Sequence, residues 1–197
     1  MFLLNGRNIN DTEVTQQIII VTGCYNQSNM DLIILLGAQG SGKTTIARLL
    51  KEKLNCPYID FDWIRDFHLD SKWSNTNLNE QNMSFDNLCF IVRNYIKHGY
   101  SNIILSGFSE DEVKRLIEEF KDNKYKIFTL ILNNDEILKE RVLDRSRDSG
   151  YRDYEESICF NKRLKEDLHY PNEIKIDNSN HTPEFTASKI ESLITSE

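Results

Sequence analysis

Apolar residues recur along the chain with two alternating periods, and the alternation sets an expectation for its fold. Residues 31–36 form an almost uninterrupted apolar run stopped by Gly37, as in a strand buried on both faces. Past the glycines, Ile46, Ala47, Leu49, Leu50 and Leu54 recur at helical spacing over 43–54. Tyr58 and Ile59 predict a short second strand ended by the acidic segment 60–62, and the aromatic, charged segment 63–73 fits neither period. Over 84–98, Phe85, Leu88, Cys89, Val92, Tyr95 and Ile96 share a helical face, with Gly99 at the stop. Residues 102–105 predict a buried strand. Ser109 then opens a helix, since Glu112 three residues on completes a capping box and Val113, Leu116, Ile117 and Phe120 supply a buried stripe. The strongest strand pattern covers 125–132, and Asn133 or Asn134 caps a helix over 135–145. The charged stretch 147–152 reads as a mobile loop. A further helix is expected over 155–169, a last strand over 173–176, and a C-terminal helix from Thr182, Pro183 and Glu184, because proline at the first helical position loses no needed hydrogen bond.

About five strands separated by helices imply an α/β fold with a parallel sheet covered on both faces. The 197 residues, 39% hydrophobic with only 3 Pro, are enough for one domain with its own core. The balance of 24 Lys and Arg against 31 Asp and Glu argues against tight binding to duplex nucleic acid or an anionic membrane surface. No apolar run approaches the roughly 20 residues that cross a bilayer. Residues 1–29 lack the organisation of a secretory signal. Cys24, Cys56, Cys89 and Cys159 are scattered with no C-x-x-C pair, and they read as reduced, mostly buried thiols of a cytoplasmic protein. His68, His98, His169 and His181 show no metal-ligand spacing and read as structural or solvent-facing.

Candidate chemistry begins at Gly37, Ala38, Gln39, Gly40, Ser41, Gly42, Lys43 and Thr44, which satisfy G-x-x-x-x-G-K-[ST] between a predicted strand and a predicted helix. The glycines let successive N–H groups face a phosphate, Lys43 supplies a cation, and the Thr44 hydroxyl can ligate magnesium at a helix N-terminus where Thr45 follows. ATP and Mg²⁺ are the cofactors this loop implies. Asp60, Asp62 and Arg65 follow the second strand, at the carboxyl edge where open α/β sheets bind ligands. One acid could hold magnesium through water while the other positions or deprotonates an acceptor hydroxyl, and Arg65 could grip an anionic acceptor group. Arg141, Arg145, Arg147 and Arg152 cluster around the expected mobile loop, where arginines can stabilise charge on a phosphoryl group in transfer. Ile176, Asp177, Asn178 and Ser179 open into a loop near the expected nucleotide base.

Together these residues resemble the small P-loop kinases of metabolites and nucleotides, the group containing shikimate kinase, gluconate kinase, adenylylsulfate kinase and antibiotic phosphotransferases. The resemblance spans residues 31 to about 193. It implies a three-layer P-loop kinase fold with a lid, and ATP-dependent transfer of the γ-phosphoryl group to a hydroxyl or phosphate of a small-molecule acceptor. By the same resemblance, Asp60 contacts magnesium, Asp62 contacts the acceptor, Gly107 lines the acceptor site, Arg141 stacks near adenine, and Arg145, Arg147 and Arg152 belong to the lid. The Asp62 to Arg65 spacing is also similar to that of adenylylsulfate and polynucleotide 5′-hydroxyl kinases. Lys43, Asp62, Arg145 and Arg147 are thus the candidate catalytic residues. Ser106 departs from the pattern, standing where several P-loop enzymes place a magnesium-associated acid. The shikimate kinase glycine triplet and the nucleotide kinase Phe-Pro-Arg are absent. Residues 1–29 form an N-terminal extension ahead of a kinase domain at 30–197. A nucleoside or nucleotide kinase, and a P-loop sensor or ATPase without a diffusible acceptor, are the alternatives.

Overall fold

The computed structural model describes residues 30–67, 77–144, 146 and 150–195. Its strands are β1 (Leu32–Gly37), β2 (Tyr58–Asp60), β3 (Ile103–Ser106), β4 (Tyr125–Ile131) and β5 (Glu173–Asp177). They form one sheet in the order β2-β3-β1-β4-β5 with every pair parallel. The helices are α1 (Lys43–Leu54), α2 (Phe61–Arg65), α3 (Leu78–Lys97), α4 (Glu110–Glu119), α5 (Asp135–Leu143), α6 (Tyr154–Glu166) and α7 (Pro183–Thr195).

Strand alternation divides β1 between two cores. Ile33 and Leu35 pack with Ile46, Ala47 and Leu50 of α1 and with Ala187, Ile190 and Ile194 of α7. Leu32, Ile34 and Leu36 face the other layer, where Phe85, Leu88 and Val92 of α3 meet Val113 and Leu116 of α4. Both faces of β1 are therefore sealed, and each such side chain contributes about 1.5–3 kcal/mol by leaving water. A smaller cluster of Ala38, Leu132, Leu138 and Val142, joined by Tyr154, Ile158 and Phe160, seats α5 and α6 against the end of the sheet.

Because every strand is parallel, all the carboxyl ends lie along one edge. The strand after β1 in sequence is not its neighbour; β3 and β4 flank it instead, so the connections diverge at the carboxyl end of β1. That divergence opens the crevice in which such sheets place ligands, and the glycine loop at 37–42 lies in it.

The structure corrects several element boundaries. The start of the unassigned segment 63–73 belongs to α2, whose N-cap Asp60 accepts from the Asp62 N–H. Helix α3 starts at Leu78 rather than 84, since the Asn77 side chain caps it by accepting from the N–H groups of Asn79 and Glu80. Its first turn faces solvent and carries no apolar period to detect. Helix α5 ends at Leu143, where Asp144 turns extended (φ −61°, ψ 119°), and α6 spans Tyr154–Glu166 rather than 155–169. Cys56 and Cys89 are buried and Cys159 is exposed. Residues 1–29, His68, Trp73, Arg145 and Arg147 lie outside the described residues. No described helix is long and apolar enough to cross a membrane.

Candidate active site

The glycine loop is shaped by backbone that other residues resist. Gly37 has φ +149°, and a Cβ there would fall 2.4 Å from Ser41 Oγ and 2.7 Å from the Leu130 carbonyl. Gly42 is the N-cap of α1 and offers no capping side chain, so the first N–H groups of that helix are left to an anion. Lys43 Nζ folds back across the loop, donating to the carbonyls of Gly37 at 2.7 Å and Ala38 at 3.0 Å. Ser41 is buried, and its carbonyl accepts from Asn178 Nδ2 at 2.8 Å. Asn178 Oδ1 in turn accepts from Thr186 Oγ1 at 2.7 Å, tying the loop to α7. Nothing in the sequence beyond the position of 176–179 singles out this asparagine as the loop's anchor.

A cavity of about 480 Å³ lies on this side of the loop, lined by Gly40, Thr44, Thr45, Arg141, Asn178 and His181 among others. Arg141 is held flat across it by donating to the carbonyls of Asn178 and Ser179, both at 3.1 Å. Burial lowers its pKa. His181, expected to be structural or solvent-facing, is exposed; its ring stacks on Phe185 with centroids 4.5 Å apart and contributes to the cavity's lining.

At the carboxyl ends of β2 and β3, Asp60 and Ser106 are register partners. Asp60 Oδ2 accepts from the Tyr58 hydroxyl and from Ser106 Oγ, each at 2.9 Å, and Oδ1 accepts from the Asp62 N–H at 3.2 Å. The Tyr58 hydroxyl also lies 3.0 Å from Ser106 Oγ. Burial, and then the Asp60 charge, raises the Tyr58 pKa far above its ordinary value, so the phenol keeps its proton. Ser106 thus replaces an acid by holding the neighbouring acid in place. The missing carboxylate is visible in the sequence, whereas the Tyr58 hydroxyl against Asp60 and Ser106 is visible only in the fold. Among the described residues no group of three or more His, Cys, Asp or Glu could hold a metal. A Thr44 hydroxyl with one carboxylate already fixed by hydrogen bonds fits magnesium, which keeps several waters and phosphate oxygens, better than a caged ion.

A second cavity of about 500 Å³ opens on the opposite side of the loop, where Asp62, Arg65, Gly107, Phe108, Glu112 and Glu156 contribute to its wall. Asp62 is half-exposed. Burial and the Asp60 charge raise its pKa, against the opposing pull of Arg65 and Lys43. Arg65 Nη1 donates to Asp62 Oδ1 at 2.6 Å and to the Gly107 carbonyl at 3.1 Å, and Nη2 donates to Glu112. Its guanidinium also lies over the Phe61 ring at 4.2 Å. Burial works against the Arg65 charge, but Glu112 and Asp62 more than offset it and the pKa rises. Glu112 is the capping-box residue of α4, its Oε2 accepting from the Ser109 N–H at 2.8 Å. The sequence revealed that local role and not its second one, the grip on Arg65. Gly107 adopts φ +87°, and a Cβ there would fall 2.3 Å from Asp60 Oδ1. Arg152 donates to the Tyr151 carbonyl at 2.7 Å and lies outside the lining of both cavities, apart from the other candidates.

Gln39 and Lys43 line both cavities. A glycine loop at the sheet's switch point, with one lysine between two pockets, defines the class of P-loop small-molecule kinase folds. A family model described as an AAA domain matches residues 33–169, and the chain belongs to that family. It is similar to a Pyrococcus furiosus protein with the provisional name adenylate kinase, 26% identical over 167 residues that cover 84% of each chain. The crystal structure of a sugar kinase from Janibacter shares its fold with a TM-score of 0.61 at 16% identity, over 85% of this chain and 95% of that one. Shikimate kinase from Acinetobacter baumannii does so with a TM-score of 0.52 at 20% identity, over 86% and 95%.

Proposed function

We propose that the protein is a phosphotransferase that moves the γ-phosphoryl group of ATP to a small-molecule acceptor. The observation that carries this reading is the pair of cavities meeting at Gln39 and Lys43. A sensor or simple ATPase needs one pocket, whereas a kinase needs two whose contents meet at the phosphoryl group. ATP occupies the Arg141 side, its phosphates on the glycine loop and the α1 N-terminus. Lys43 leaves the loop carbonyls for the terminal phosphates. Magnesium would be held by Thr44 and, through water, by Asp60, and it supplies neutralisation of charge on the β- and γ-phosphates. Asp62 orients the acceptor hydroxyl and takes its proton, a role served by a carboxylate whose pKa is raised toward the working pH. Arg145 and Arg147 are the candidates for charge stabilisation from the lid. The provisional name of the Pyrococcus furiosus protein favours a nucleoside monophosphate as acceptor in a second reading.

The test is ADP release from ATP and Mg²⁺ across sugars, antibiotics, nucleosides and nucleotides. Acceptor-stimulated release that is lost in a folded Lys43→Ala variant supports the kinase reading. Release that no acceptor changes identifies a sensor or ATPase.

A further inference from the structure

The acceptor-side cavity has a charge pattern that selects its ligand. Among the described residues of its wall, Asp62, Glu112 and Glu156 face one guanidinium, that of Arg65, and the shared Lys43. Arg65 is the residue that an anionic acceptor would need, yet three of its five N–H donors go to Asp62, Glu112 and the Gly107 carbonyl, and its charge is already paired with two carboxylates. The side chain is only 12% exposed and stacked on Phe61, so binding a phosphate or carboxylate would mean breaking a carboxylate pair already formed. Lys43 is needed by the nucleotide. An anion entering this cavity therefore meets three carboxylates, and the guanidinium among the described residues of the wall is already paired with two of them.

The rest of the wall suits hydroxyl groups on a ring. Phe108, stacked on Phe61 with centroids 5.5 Å apart, and Phe160 offer apolar faces to C–H groups. Asp62 and Glu156 are carboxylate acceptors for donated hydroxyls, and Glu156 is already oriented by the Tyr151 hydroxyl at 2.6 Å.

We infer that the acceptor is an uncharged or amino-bearing polyhydroxy compound, of the sugar, cyclitol or nucleoside kind, and not a nucleoside monophosphate or a carboxylate. Arg65 is then a positioning residue that aims Asp62, rather than the receptor for an acceptor anion that its sequence position suggested. The inference rests on the kinase reading and assigns that reading's second substrate.

The test uses the full chain in two arms. In the first, the nucleotide side is filled with a non-hydrolysable ATP analogue and Mg²⁺, and AMP is titrated by calorimetry into the wild type and Glu112→Gln. Glutamine keeps the capping box of α4 but releases Arg65 from a charged partner. Expected is no saturable AMP binding to the wild type and a gain of about tenfold or more in the variant, because a freed guanidinium binds phosphate bidentately. AMP binding the wild type as tightly as Glu112→Gln overturns the inference. In the second arm, adenosine, kanamycin and glucose are compared with AMP and gluconate as stimulators of ADP release. Stimulation confined to uncharged or cationic compounds supports it, and stimulation by AMP or gluconate overturns it. ADP release unaffected by every compound overturns the kinase reading instead, while the calorimetric arm still reports on the charge of the cavity.

Discussion

The two sides of the glycine loop are built by different means. On the nucleotide side, neutral partners fix the architecture: Asn178 holds the Ser41 carbonyl, Thr186 holds Asn178, and the one charged member, Arg141, donates to the carbonyls of Asn178 and Ser179 rather than to a carboxylate. On the acceptor side, charges hold charges, with Asp62, Arg65 and Glu112 in one chain. A neutral scaffold is indifferent to pH and leaves the phosphate charge to the backbone N–H groups, Lys43 and magnesium. A charged scaffold tunes the proton affinity of a base. On the proposed reading, the difference is that between a site that grips and one that moves a proton.

Breaking the acceptor side alone gives the largest expected effect. Asp62→Asn removes the base and keeps the shape, so transfer should fall by about 10² to 10⁴ in steady-state kinetics. Next comes Gly107→Ala. Its Cβ would fall 2.3 Å from Asp60 Oδ1 at a backbone angle of φ +87°, so stability should drop by about 1–3 kcal/mol in denaturant titration. Turnover should fall as Asp60 is displaced. On the nucleotide side, Asn178→Ala leaves the buried Ser41 carbonyl and Thr186 hydroxyl without their partner, and ATP affinity should weaken by roughly tenfold.

A finer contrast is one of pH. Asp62 must be ionised to accept a proton, and its pKa is raised, so the acid limb of kcat/KM should lie at higher pH than an ordinary aspartate would give. Arg65 lowers that pKa, so Arg65→Gln should move the limb to still higher pH, while ATP affinity keeps its pH dependence. An acid limb that does not move would remove Asp62 as the titrating base. The smallest effect belongs to neither side: Glu191→Gln breaks the exposed pair with Lys53 at 3.2 Å and should cost less than about 1 kcal/mol.

What the sequence makes legible follows the same division. The loop at 37–44, the acids at 60 and 62, and the helices with a sustained apolar stripe can be read because each signal is local. Helix α2 escapes such reading, since five residues are too few for a period and its N-cap, Asp60, was noticed for its charge alone. The first turn of α3 escapes because its apolar residue, Leu78, is exposed and starts no period. Asn178 and Glu112 act across 137 and 47 positions of chain, on Ser41 and Arg65, and only the β2-β3-β1-β4-β5 order brings those partners together. Arg65 is the instructive case. Its residue type suggests anion binding, and only its burial against two carboxylates shows that its charge is already paired.

If nucleotide binding and acceptor activation are carried by separate groups on either side of Lys43, the calorimetric affinity for ATP separates them in four proteins: the wild type, Asn178→Ala, Asp62→Asn and the double variant. Asn178→Ala should weaken ATP binding by the same factor in both backgrounds, and Asp62→Asn alone should cause no loss. If Asp62→Asn weakens ATP binding as much as Asn178→Ala does, the two sides are one site and the division of labour fails.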